Sequence, residues 1–185
     1  LAYRINSTLG SVVSKQQLGF VPGRVITEAS HLVKLVQAAL EEDDGEGLLI
    51  ALDWEKAFDS VSWEYIHSTM EALGYGPTIR KWVATMYNSS RSPRRRIKAN
   101  GKRSPFFHIN SGVAQGCPCS PALFILVAKA LTRAALADST IKGVKANTKL
   151  GESVEVKISQ FADDTLFYVE NVRIPTRDMA IDNPL

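Results

Sequence analysis

Apolar positions recur at helical spacing over residues 27–40, where Ala29, Leu32, Val33, Leu35, Val36, Ala39 and Leu40 share one broad face; this predicts an amphipathic helix. The polar run Asp43-Asp44-Gly45-Glu46-Gly47 reads as a turn. Leu48-Leu49-Ile50-Ala51-Leu52 is then apolar at every position, the pattern of a short central strand buried on both faces. Ser62 suits the cap of a helix reaching Leu73, with Tyr65, Ile66, Met70 and Leu73 turned inward, and Gly74 and Gly76 stop it. Pro77 opens another helix, which runs to Tyr87. Residues 95–99 and 106–109 read as strands around Asn100-Gly101, the strongest short-range hairpin signal. Ser120-Pro121 starts a long apolar helix over residues 122–137, and residues 154–161 and 165–169 predict a second hairpin that turns at Asp163-Asp164. Strands and helices are mixed without regular βαβ alternation, so the expected class is α+β, an antiparallel sheet backed by helices.

Composition narrows the function classes. The 185 residues carry no internal repeat or low-complexity linker and read as one domain or one large piece of a bigger one. Hydrophobic residues are 45% and charged residues 22%, which excludes a disordered tail, a collagen-like fibre and a coiled coil. No apolar run is expected to reach the roughly 18 residues of a membrane helix, so no membrane partner is expected. Leu1-Ala2-Tyr3-Arg4 has no signal-peptide pattern and no initiator Met, as in an excerpt. Cys117 and Cys119 are too close in sequence to bridge comfortably, which points to a reducing compartment. His31, His67 and His108 are too scattered to complete a zinc site with them. Net charge is +3, but its distribution is uneven. Nine bases and no acid lie between Arg80 and Arg103, and seven acids and no base lie between Glu41 and Glu55. The basic stretch is either a solvated hairpin or a surface that neutralises phosphates.

Asp53 ends the apolar strand, where a carboxylate either caps the next turn or serves as a ligand at the sheet's end. Asp163 and Asp164 are good turn residues in their own right. Taken together, a strand ending in Asp and a hairpin tipped by Asp-Asp can converge at one edge of one sheet. Converging carboxylates repel each other, and a divalent cation removes that penalty. Hard oxygen donors suit Mg²⁺, which keeps coordination sites for substrate phosphates.

These segments carry a family resemblance. Gln17-Leu18-Gly19-Phe20-Val21-Pro22-Gly23-Arg24, Ala51-Leu52-Asp53-Trp54-Glu55-Lys56-Ala57-Phe58-Asp59-Ser60-Val61, Gly112-Val113-Ala114-Gln115-Gly116-Cys117-Pro118-Cys119-Ser120-Pro121 and Phe161-Ala162-Asp163-Asp164 stand in one order. The chain resembles the reverse transcriptases of non-LTR (LINE-type) retrotransposons, in its fingers and palm. The resemblance implies an RNA-directed DNA polymerase with an RNA template, a DNA primer and deoxynucleoside triphosphates as partners. It implies two Mg²⁺ ions, with Mn²⁺ as an alternative, held by Asp53, Asp163, Asp164 and the backbone carbonyl of Trp54. Phe58 matches the steric gate against a ribose 2′-hydroxyl; core packing is its other reading. Gln115 and Gly116 would line the nucleotide and template pocket, and Gly116 would allow close backbone approach. Arg24 is a triphosphate contact or a structural residue of its turn. Arg91, Arg94, Arg95, Arg96 and Lys98 would contact the nucleic-acid backbone.

The sequence also departs from the pattern. Ala114 stands where many relatives have Arg, and Cys119 where Leu is usual. No counterpart is placed for a general-acid Lys, later palm motifs, primer grip or thumb. The expected organisation is a fingers segment at about residues 1–45, a palm at about 46–172 and a tail at about 173–185, with the thumb absent. The other function class is a truncated retroelement remnant that binds nucleic acid without catalysis. An intracellular address, nuclear or cytoplasmic, is what the resemblance implies.

Overall fold

A computed structural model describes residues 1–42, 45–88, 93–147 and 153–170. The element order is α1 (Ala2–Val12), α2 (Ile26–Glu42), β1 (Gly47–Leu52), α3 (Trp63–Ala72), α4 (Pro77–Met86), β2 (Arg94–Arg95), β3 (Lys98–Ala99), β4 (Lys102–Arg103), β5 (Phe107–His108), α5 (Ser120–Ala137), β6 (Val144–Asn147), β7 (Ser153–Val156), β8 (Ile158–Phe161) and β9 (Asp164–Glu170). The expected α+β class holds. Asp43, Asp44, Arg91 and the tail after residue 170 lie outside the described residues.

The central sheet has the order β1-β9-β8 and is antiparallel throughout. Helix α5 packs against β8 and against α1 and α3. The main core gathers Ile5 and Leu9 of α1, Trp63, Ile66 and Met70 of α3, Val83 of α4 and Leu123–Leu126 of α5. A smaller cluster of Val36, Val144, Val156 and Tyr168 fastens α2 to the sheet through β6–β7.

Local chemistry explains several elements. Ser62 caps α3 by accepting from the Tyr65 N–H at 3.2 Å, and Pro77 sits in the first turn of α4. Helix α5 is buried along most of its first three turns, which is why its apolar run is nearly continuous. At 18 residues and a mean hydropathy of 1.4, it is long and apolar enough to cross a membrane, contrary to expectation. Half of it is buried in the fold, the position of a core helix.

Other readings are corrected by the fold. β1 is not buried on both faces: all six residues are exposed, and Leu49 is 50% exposed. It lies at the edge of the sheet and pairs with β9 alone among the described strands, so its apolar side chains lack a covering layer there. Tyr65 is also outward, while Ile66 and Met70 are inward as expected. The basic hairpin is two short ladders, β2–β5 and β3–β4, not one. Pro105 has no N–H to give, and Ser104 fills the gap: its Oγ accepts from the Ile97 N–H, and its own N–H donates to the Ile97 carbonyl. The strand expected over residues 154–161 also splits. β7 leaves the central sheet to pair with β6, an element without a sequence signal, and only β8 pairs with β9. Helix α1 likewise had no assignment from pattern alone.

Candidate active site

The register of the central sheet decides where the carboxylates go. Leu52 pairs with Thr165 and Phe161 with Asp164. Continued by one step, the β1–β9 register sets Asp53 opposite Asp164, with Asp163 in the two-residue turn between β8 and β9. The expected convergence at one end of one sheet is therefore present in the backbone. Asp53 and Asp164 are exposed and Asp163 is half-buried. Among the described residues no ion pair includes any of the three. Their chemistry, acidic oxygen donors alone, fits a hard divalent cation. Among the described residues, however, no three acidic, His or Cys side chains stand close enough to form a preformed metal cluster.

The turn itself has an unusual backbone. Ala162 has φ of +58°, a left-handed conformation that a β-carbon disfavours. The carboxamide of Gln17 occupies both of its polar groups: Gln17 Oε1 accepts from the Ala162 N–H at 2.9 Å, and Gln17 Nε2 donates to the Ala162 carbonyl at 3.1 Å. On the other side, Thr132 Oγ1 donates to Gln160 Oε1, and Gln160 Nε2 donates to Thr165 Oγ1 at 3.2 Å. The Trp54 indole N–H reaches the same Thr165 hydroxyl at 3.3 Å, tying the residue after Asp53 to the strand after Asp164.

The loop leaving β1 forms the next wall. Phe58 is half-buried, and its ring stacks on Phe124 with centroids 5.1 Å apart and planes 16° apart. Its carbonyl accepts from the Val113 N–H at 2.7 Å. Gly112 (φ +85°) lies so close to Asp59 that an added Cβ would sit 2.8 Å from the Asp59 Cα, and Ser111 Oγ donates to the Asp59 carbonyl. The two expected motif segments are thus joined main chain to main chain. Between them lies a polar cleft of about 330 Å³ lined by Asp59, Arg95, Ile109, Ser111, Ala114 and Gln115 among others. Gln115 and Gly116 are exposed, and Gly116 has φ of +79° with open space around it. Tyr87, which carried no sequence signal for a site, and Ser120, near the end of the Gly112–Pro121 motif, hold this segment from behind. The Ala114 N–H donates to Tyr87 Oη, and Ser120 Oγ donates to the Ala114 carbonyl.

The remaining expected residues are dispersed. The Arg24 guanidinium donates to the carbonyls of Ser14 (2.6 Å), Gln17 (2.5 Å) and Val13 (3.3 Å), so it ties down the chain after α1. Arg94 and Arg96 lie over the Phe106 ring at 5.3 and 4.9 Å. Arg95 enters the cleft, and Lys98 is exposed on β3. Arg80 is drawn away from the basic stretch into an ion pair with Glu71 at 2.7 Å. Cys117 and Cys119 are free thiols; Cys119 is buried, which pushes its thiol pKa up, while Cys117 is only half-buried.

Comparison with known proteins agrees with this geometry. A transposon TX1 protein of 149 kDa from Xenopus laevis is 27% identical over 175 residues, covering 93% of this chain and 12% of that protein. The Pol polyprotein of the type-2 retrotransposable element R2DM from Drosophila melanogaster is 29% identical over 170 residues, 92% of this chain and 15% of its own length. The chain therefore spans less than a sixth of either relative. The apo telomerase structure from Candida tropicalis shares the fold, with a TM-score of 0.59 at 12% identity over 92% of this chain and 33% of that one. These likenesses bear out the expected resemblance to non-LTR retrotransposon enzymes and the fingers/palm architecture. Residues 1–178 match the family described as reverse transcriptase (RNA-dependent DNA polymerase), and the chain belongs to that family.

Proposed function

We propose that the chain supplies the catalytic end of an RNA-directed DNA polymerase, transferring deoxynucleotides to a primer 3′-hydroxyl. The observation that carries this reading is the register that sets Asp53 opposite Asp164 and beside the Asp163 turn, with no ion pair to any of them among the described residues. Asp53, Asp163, Asp164 and the Trp54 carbonyl would hold two Mg²⁺ ions, or Mn²⁺ in their place. When bound, such ions stabilise the charge on the attacking and leaving oxygens. The chain's own residues do the positioning. Gln115 and Arg95 would orient a nucleotide or template in the cleft. The free face of Phe58 would crowd a 2′-hydroxyl, while its other face rests on Phe124. Arg94, Arg96 and Lys98 would follow a phosphate backbone, as would Arg91 from outside the described residues. Arg24 enters only through the resemblance, since three carbonyls already engage its guanidinium. The fingers and palm limits near residue 45 and an intracellular site of action belong to the same proposal.

The test is primer extension on an RNA template by the full reading frame that contains this chain. Asp163→Asn should abolish extension, and retained extension would remove the carboxylate assignment. In the same assay Phe58→Ala should admit ribonucleotides; unchanged discrimination would leave Phe58 as packing alone. A second reading, nucleic-acid binding without turnover, draws on the lack of a preformed three-ligand cluster among the described residues. It predicts salt-dependent RNA binding that Asp163→Asn leaves intact, with no extension by the native protein.

A further inference from the structure

We propose that Gln17 is a positioning residue for the catalytic carboxylates: its carboxamide holds the Ala162–Asp163 turn in the one backbone conformation that presents Asp163 and Asp164 at the end of the sheet. This rests on the reading of those carboxylates given above.

The geometry is specific to an amide. A peptide group offers one donor and one acceptor, and a primary carboxamide can match both at once. Gln17 does so at Ala162, and its Oε1 accepts from the Gly19 N–H at 2.9 Å as well. Gln17 is 1% exposed, so these bonds form away from water. The main chain adds two rungs on either side: the Leu18 N–H donates to the Gln160 carbonyl at 2.7 Å, and the Gln160 N–H donates to the Gln16 carbonyl at 2.8 Å. Gly19 passes so close that a Cβ there would lie 2.2 Å from the Ala162 nitrogen. The segment is thus seated on the turn by contacts that a general apolar fit does not need.

The distribution of buried polarity points the same way. Six polar residues are buried among those described: Gln17, Ser120, Thr132, Ser159, Gln160 and Thr165. Ser159 and Gln160 lie on β8 and Thr165 on β9, Thr132 bonds to Gln160, and Gln17 bonds to the turn between the two strands. Buried polar groups destabilise a fold unless each finds a partner, and a satisfied network sets orientation as an apolar core does not. Orientation is what the chemistry needs here, because in-line transfer is sensitive to displacements of about 1 Å.

The experiment uses the full reading frame with Gln17→Met, Gln17→Glu and Asp163→Asn. Met fills the space without the amide; Glu keeps the acceptor for Ala162 and Gly19 but loses the donor. Two quantities are read: Mn²⁺ affinity by electron paramagnetic resonance without nucleotide, and the kcat and KM of single-nucleotide addition. Gln17→Met should weaken Mn²⁺ binding and lower kcat by about tenfold each, the size of effect seen when a ligand loses its support. KM for the template–primer should stay within about twofold, because only the end of the sheet is disturbed, and Gln17→Glu should fall between. Native Mn²⁺ affinity and kcat in folded Gln17→Met overturn the proposal. If Gln17→Met does not fold, Gln17→Glu decides it: an intermediate loss of both quantities supports the role, and native values overturn it. If Asp163→Asn itself retains Mn²⁺ binding and kcat, the carboxylate assignment is wrong and the role of Gln17 falls with it. That outcome is distinct from one in which Asp163 matters and Gln17 does not.

Discussion

Two hairpins among the described residues turn in two residues: Asn100-Gly101 between β3 and β4, and Ala162-Asp163 between β8 and β9. In both, the first turn residue has a positive φ, 48° at Asn100 and 58° at Ala162. The means of holding it differ. Asn tolerates the left-handed region, and Gly101 at φ +75° supplies the second such residue without a steric penalty. Ala162 has no local help, and the left-handed conformation costs it about 1 kcal/mol. That cost is offset from outside the hairpin, by the two hydrogen bonds of Gln17 to Ala162. The flanks differ too. β8 is almost wholly buried, whereas every residue of β2, β3, β4 and β5 is exposed. On the proposed function, a surface that would contact phosphates by charge tolerates movement, and a turn that would set carboxylates in line does not.

The comparison breaks most sharply at Gly19. Gly19→Ala should destabilise the chain by about 2–3 kcal/mol, because the new Cβ meets backbone and not a flexible side-chain end. Urea denaturation midpoints measure this, and a loss under about 0.5 kcal/mol would mean that the segment yields easily. Asn100→Ala should act on the other hairpin alone. It should open β3–β4 by about 1 kcal/mol, seen as faster amide exchange in that ladder, with the global midpoint unchanged. If the global midpoint falls as well, the two hairpins are coupled and the contrast fails.

The smallest effect is on pH dependence. Burial raises the Tyr168 pKa above its ordinary value of 10.0, against a lowering hydrogen bond with Ser159 across the β8–β9 pair. In the unfolded chain Tyr168 ionises near pH 10, while the folded chain still holds its proton. Above about pH 10 the unfolded state therefore binds fewer protons, and stability falls as pH rises through the folded pKa. Tyr168→Phe should flatten part of that slope, and Tyr75, raised by burial in the same way, contributes a further part. The four short strands of the basic hairpin contain no tyrosine, so their amide exchange should not follow this titration.

Much of the fold could be read from neighbours in the chain. The stripe over residues 27–40, the Ser62 cap, Pro77 at a helix start, the Asn100-Gly101 turn and the apolar α5 each reflect forces acting within a few residues. The site was legible at the same level: Asp53 after a strand and Asp163-Asp164 at a hairpin are where the register brings them together. Less was legible where a pattern states only that a surface is apolar. Leu48-Leu49-Ile50-Ala51-Leu52 predicts burial, but the described residues leave β1 at an edge with both faces open. Arg80 counts as a basic residue in any tally of charge, yet Glu71 takes it out of the basic surface.

Sequence alone therefore determined α2 to α5, the Asn100-Gly101 turn and the placing of Asp53 and Asp163-Asp164 beside strand ends, because backbone preference, capping and periodicity are short-range properties. Tertiary structure decided that β7 leaves the central sheet for β6, that Phe58 lies on Phe124, and that Gln17 reaches Ala162. The last contact joins residues 145 positions apart. A hydrogen bond at that separation has no local signature: it exists only because α1, α5 and the central sheet have packed and left a buried amide and a strained peptide facing each other.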